Sequence, residues 1–217
     1  MIPRIVGCLV MPALVFFPPT LLAGWPWFWH PAPLAGFGLG VLTLASQPPL
    51  SPTALITDPS DRQSALLILL AVMAANCASV IQFSLGEPAT PAPGSPWVIT
   101  GIVMGSAGLL LRLWAIRTLG RFFTSGVMVQ EGQAVLTTGP YRWVRHPSYT
   151  GSILTVLGTA VALGSPLGVV LAVGLLVPVY LYRIRVEERT MLAGLGDAYA
   201  SYRARTPALL PGTPGAR

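Results

Sequence analysis

The sequence predicts an all-α, polytopic integral membrane protein of about six transmembrane helices, closing with a helical hairpin and a tail helix; five spans remain if the second apolar segment does not cross. Three observations predict it. Of 217 residues, 53% are hydrophobic and only 9% charged, and mean hydropathy is +0.67, a balance foreign to soluble domains. Several apolar runs reach the roughly 20 residues that a core about 30 Å thick demands at a rise of about 1.5 Å each. All 13 basic residues are arginine, giving a formal charge of +6, and they gather at the ends of those runs.

The first run, 4–23, follows Arg4 and precedes no small-residue cleavage site, so it is expected to be a membrane helix and not a removed signal peptide. The second, Leu34 to Ser46, is short and Gly-rich between Pro33 and Pro48; it spans, re-enters or lies in the interface. Runs 64–85 and 97–118 are long enough to cross, are separated by the proline-rich EPATPAPGSP from Glu87 to Pro96, and the second should stop at Gly120. The last run, 149–182, is broken by Gly164, Ser165 and Pro166, which predicts a hairpin with two arms of only 15–17 residues.

With six spans, Arg4, Arg62, Arg112, Arg117, Arg121, Arg142, Arg145 and the arginines from Arg183 onward fall on one side, leaving His30 and Glu87 on the other. The positive-inside rule then places both termini in the cytoplasm and assigns the basic charge to a membrane surface, with no nucleic-acid partner expected. Cys8 and Cys77 lie inside apolar runs without CxxC spacing, so inert thiols are expected and no zinc site or disulfide framework. His146 has no second histidine within reach, which argues against a metal. The chain contains no lysine and no GxSxG elbow, so neither a P-loop nor a serine nucleophile is indicated.

Three stretches carry chemistry. Arg112, in GLLLRLWAIRTLGRFF, lies within the last two turns of its helix; a charge at a span's centre costs about 2.5–3.5 kcal/mol, so it either snorkels to the interface or serves a function. GPYRWVRHPSYTG, from Gly139 to Gly151, concentrates charge just before the hairpin, with His146 held out of helix by Pro147. RIRVEERTML, from Arg183 to Leu192, sets Arg183 four residues from Glu187 and Arg185 three from Glu188. Such spacing suits in-helix ion pairs, and the two carboxylates point about 100° apart.

GPYRWVRHPSY, an apolar hairpin, RIRVEERTML and GDAYASY together resemble the C-terminal half of the isoprenylcysteine carboxyl methyltransferase family, related to membrane phospholipid methyltransferases. The resemblance covers about residues 108–211 and rests on an RHPxY element (His146, Pro147, Tyr149), a hydrophobic stretch and the pair Glu187–Glu188. It implies a cytosolic cofactor-binding loop holding S-adenosylmethionine, lined by Leu136, Gly139, Tyr141, His146, Pro147 and Tyr149, with Arg183, Glu187 and Glu188 reaching it from the last helix. Arg112 matches an arginine that holds the substrate carboxylate, so Arg112 and Glu188 are the implied catalytic pair. The implied division is 1–96, a substrate-side bundle, and 97–217, the methyltransferase core. The acceptor would be apolar or lipid-like and enter from the bilayer, its reacting atom left open among oxygen, sulfur and nitrogen.

Those residue types suit the chemistry. Methyl transfer from a sulfonium is an in-line displacement that needs alignment and exclusion of water, not an enzyme nucleophile. Carboxylates match the donor's cationic groups, and arginine matches a carboxylate by bidentate hydrogen bonding. Two alternatives stand beside this reading: a sterol-reductase-like oxidoreductase using a reduced nicotinamide dinucleotide, against which the paired glutamates weigh, and a membrane scaffold with a dead site.

Overall fold

The structure is a computed structural model that describes residues 2–47, 63–86, 90–124 and 128–212; Arg62, Glu87 and Arg217 lie outside the described residues. Every regular element among these is helical. Helix α1 (Ile2–Phe16) is shorter than the predicted 4–23. Pro18 and Pro19 stop it, because the residue before a proline is forced out of the α region, and the chain continues as two single turns, Thr20–Ala23 and Trp25–Phe28. Helix α2 (Pro31–Ala45) starts where His30 Nδ1 accepts from the Ala32 amide at 3.2 Å, with Pro31 at the first helical position.

Helix α3 (Ser64–Leu85) has the predicted bounds. Helix α4 (Pro96–Leu119) is capped by Ser95, and ends at Gly120, whose φ of 58° only glycine adopts without strain. Helix α5 (Pro147–Ala162) begins after His146. The predicted hairpin turn follows at 163–165, where Ser165 caps helix α6 (Pro166–Arg205). Gln82 of α3 holds that turn, its Oε1 accepting from Ser165 Oγ at 2.5 Å and from the Leu167 amide at 3.0 Å.

Among the described residues, α3, α4 with its 3₁₀ extension to Phe122, and α6 are long and apolar enough to cross a membrane. Helices α1, α2 and α5 have 15, 15 and 16 residues, or about 23 Å at the helical rise. The apolar part of α6 ends near Tyr182, where the charges begin. Within it, Ala172–Leu176 widens to a π turn. Pro178 would press on the carbonyl four residues back, and the wide turn relieves that clash.

Two features position the site. Helices α4 and α5 touch backbone to backbone: a Cβ at Gly101 or Gly108 would strike α5, and one at Gly151 or Gly158 would strike α4. Small residues that admit close approach are the usual basis of helix pairing in lipid. Here they set Arg112 directly beside the first two turns of α5. The second feature is a kink at Gly196 (φ 53°), which turns the end of α6 back over the loop preceding α5. Tyr202 Oη donates to the Tyr141 carbonyl at 2.7 Å, and the Arg145 and His146 amides donate to the carbonyls of Pro207 at 2.9 Å and Ala208 at 3.0 Å.

Candidate active site

The loop and the tail build one charged cluster. Glu188, only 5% exposed, accepts from Arg145 Nε at 2.7 Å, is ion-paired with Arg203 Nε at 3.1 Å, and bonds His146 Nε2 at 3.1 Å. That bond places the histidine proton on Nε2 if Glu188 is ionised. Arg145 also donates to the carbonyls of Arg203 and Thr206. Burial alone would raise the Glu188 carboxyl, but His146 and then Arg145, by hydrogen bond and charge, outweigh it and hold the group below its ordinary value.

Glu187 faces the other way, as its offset of about 100° requires. It accepts from Tyr149 Oη at 2.7 Å and lies 3.7 Å from His146 Nδ1. Arg183 Nε donates to Tyr149 Oη at 3.3 Å, and its Nη1 donates to Ser64 Oγ on α3 at 2.9 Å. The in-helix pairs suggested by spacing, Arg183 with Glu187 and Arg185 with Glu188, do not form. The loop and tail offer Glu188 buried partners, whereas Arg185 points to solvent.

Two chambers meet at Tyr149. One, of about 100 Å³, is polar and is lined by Leu136, Tyr141, His146, Tyr149, Arg183 and Glu187, with Tyr199 and Tyr202 from beyond the kink. Burial, then the Glu187 charge, raises the Tyr141 phenol above its usual range. Tyr202 is pushed up to about 12, by burial first, so both phenols stay protonated as donors at neutral pH. The other chamber, of about 230 Å³, is apolar and runs inward among α1, α2, α3 and α5. Phe123, Thr124, Tyr149 and Arg183 border both.

Arg112 sits in the apolar chamber and is 2% exposed, which overturns snorkelling. Its Nη1 donates to Ser152 Oγ at 2.9 Å and to the Ser148 carbonyl at 3.3 Å, and its Nε donates to Ser46 Oγ at 3.4 Å. The guanidinium lies 5.8 Å from the centre of the Phe123 ring. Among the described residues no carboxylate pairs with it, and Nη2 makes no hydrogen bond. A buried cation whose Nη2 donors are unused has hydrogen bonds left to offer an anion.

Six of the expected site residues thus line the polar chamber. Gly139 and Pro147 shape the backbone beside it, opening the 3₁₀ turn Gly139–Arg142 and helix α5. Glu188 stands behind the wall as the cluster's hub, and Arg112 belongs to the neighbouring chamber. Sequence reasoning missed Arg145, counted only as one-sided charge, and the tyrosines Tyr199 and Tyr202. Their signals were present: Arg145 directly precedes His146, and the tyrosines lie three apart in the GDAYASY segment.

Fold and site together define an integral membrane protein with two chambers of contrasting lining that share one wall. The sequence model of the isoprenylcysteine carboxyl methyltransferase (ICMT) family matches residues 98–193. Protein-S-isoprenylcysteine O-methyltransferase B of Arabidopsis thaliana is 31% identical over 152 residues, 68% of this chain and 77% of that protein. The chain belongs to the isoprenylcysteine carboxyl methyltransferase family. The protein-S-isoprenylcysteine O-methyltransferase of Schizosaccharomyces pombe is 34% identical over 107 residues, which are 43% of this chain but only 45% of that enzyme. The chain therefore matches less than half the length of that relative. Among solved structures, the eukaryotic intramembrane Ras methyltransferase ICMT shares the fold, with a TM-score of 0.57 at 21% identity over 96% of this chain and 88% of that one. A reaction of this family requires a methyl donor.

Proposed function

We propose that the chain is an S-adenosylmethionine-dependent methyltransferase that esterifies the carboxylate of a lipid-like, isoprenylcysteine-type acceptor. The observation that carries the reading is the shared wall: a polar chamber with a carboxylate, and an apolar chamber with a buried arginine, border the same Tyr149. The polar chamber fits the donor's chemistry, since Glu187 suits an ammonium or sulfonium, Arg183 suits a carboxylate, and the tyrosines offer ring faces and hydroxyls. Bound there, S-adenosylmethionine supplies an electrophilic methyl group, and an acceptor carboxylate oxygen gains the C–O bond as the C–S bond breaks, with no proton to move.

The chain's own residues position and shield. Arg112 orients the acceptor's carboxylate, with its free Nη2 donating to the anion. Tyr149, held by Glu187 and Arg183, fixes the wall where the ligands meet. The loop and tail close the polar chamber against water. In this reading the helices before residue 97 supply the acceptor side, supported by the apolar chamber's lining from α1 to α3, and residues 97–217 form the donor side, as all of the polar chamber's lining does.

Calorimetry in nanodiscs tests the donor site. S-Adenosylhomocysteine should bind saturably, and Glu187→Gln should weaken it roughly tenfold, as loss of one charge-assisted contact predicts. Binding of a reduced nicotinamide dinucleotide without response to S-adenosylhomocysteine would replace this reading with the reductase.

The same reading places the site at the cytoplasmic face, since the buried cluster and the exposed Arg117, Arg121, Arg142, Arg185 and Arg189 share one end of the bundle. Topology reporters fused at Gly94 and after Arg217 should then report opposite sides, the second cytoplasmic. Both on one side would overturn the orientation.

A further inference from the structure

We infer that the apolar chamber measures the acceptor's tail, with the ring of Phe16 as its end stop. The inference rests on the reading above that the chamber takes an isoprenoid-type tail. Phe16 is 3% exposed and is wedged where α1, α2 and α5 meet. A Cβ added at Gly36 would lie 2.8 Å from its ring and 2.9 Å from Thr159 Cγ2. Behind it the way is blocked by aromatic packing, with Phe37 edge-on to both Phe16 and Phe17, and Phe17 stacked on Phe28 at 4.8 Å.

The chamber's length follows from α5. Arg112 is fixed to Ser152 at one end, and the stop lies at Thr159, seven residues on, so the distance is about 10 Å at the helical rise. One isoprene unit advances a chain by four carbon–carbon bonds, or about 5 Å. The linker from carboxylate to sulfur takes about 4 Å of this, so about one unit fits fully between the arginine and Phe16, and four do not.

The walls call for hydrocarbon. Thr155 Oγ1 donates to the Gly151 carbonyl at 2.9 Å, Thr159 Oγ1 to the Thr155 carbonyl at 3.0 Å, and Asn76 Nδ2 to the Val72 carbonyl at 2.9 Å. These three lining residues therefore spend a donor on their own helix, while Thr43 Oγ1 in the same wall has no hydrogen-bond partner among the described residues. Gly36 and Gly40 keep the bore open on the α2 side.

The test uses S-geranyl, S-farnesyl and S-geranylgeranyl thiopropionic acids with the full chain in nanodiscs. Turnover is measured as kcat/KM, and donor-free binding by displacement of a fluorescent geranyl thioether. Wild-type kcat/KM should fall at least about tenfold from geranyl to geranylgeranyl, with binding following the same order, because overfilling a packed pocket is costly. Phe16→Ala should abolish most of that preference, and the milder Phe16→Leu should move it the same way should the alanine variant fold poorly. S-Adenosylhomocysteine affinity should be unchanged in both. A wild-type enzyme indifferent to tail length, or a preference that neither variant shifts, overturns the end stop while leaving the proposed function standing. If none of the three acids binds or is methylated, the proposed function itself falls.

Discussion

Arg112→Lys is expected to lower kcat/KM about a hundredfold while leaving S-adenosylhomocysteine affinity within about twofold of wild type. Lysine keeps the charge and can still reach Ser152 or the Ser148 carbonyl, so the packing of α4 on α5 should survive. What it loses is the planar guanidinium, whose Nη1 and Nε are bonded to Ser148, Ser152 and Ser46 while Nη2 is left for the anion. The paired measurement separates the roles. Loss of donor binding with the fold intact would move Arg112 into the polar chamber's service, and wild-type turnover would reduce it to a structural cation.

The second large effect concerns the cluster around Glu188. Arg145→Ala should lower stability by about 3–5 kcal/mol, because it strands a buried carboxylate, and should weaken S-adenosylhomocysteine binding by more than tenfold. Arg145 joins three pieces, the loop, the carboxylate on α6 and the carbonyls of the turned-back tail, so its loss unseats the tail tyrosines as well. Denaturation monitored alongside calorimetry checks both effects; wild-type behaviour in each would show that Arg203 and His146 suffice. The pH dependence has a definite sign. Glu188 titrates below its ordinary value, so its stabilisation is complete above the unfolded carboxylate range and is lost as pH falls through the lowered folded value. Acid should therefore loosen this cluster only below the ordinary carboxylate range.

Much of this was legible in the residues. The bounds of α3, the stop at Gly120, and the hairpin turn at Ser165 follow from hydropathy and from glycine, serine and proline chemistry, which act locally. Of the six expected residues that line the polar chamber, five lie in two short motifs and Leu136 lies three residues before the first. What stayed hidden depends on long-range placement. Whether Arg112 snorkels or is buried is open until the glycines of α4 and α5 bring Ser148 and Ser152 against it. Arg183 and Glu187 read as a helical ion pair until Tyr149 and His146 are folded between α5 and α6. The early end of α1 could have been read from Pro18 and Pro19, but the hydropathy of the residues beyond them masked it.

The clasp at Gly196 has a consequence for how the protein is made. Arg145 and Tyr141 each await a partner 61 residues further along the chain. At about 5–20 residues per second, that separation is roughly 3–12 s of translation. During this interval both hairpin arms can already be in the bilayer while the amides of Arg145 and His146 still face water. The polar chamber is consequently the last part of the molecule to be assembled, and a chain ended between residues 183 and 196 would leave a hairpin with an unfinished, solvent-open loop.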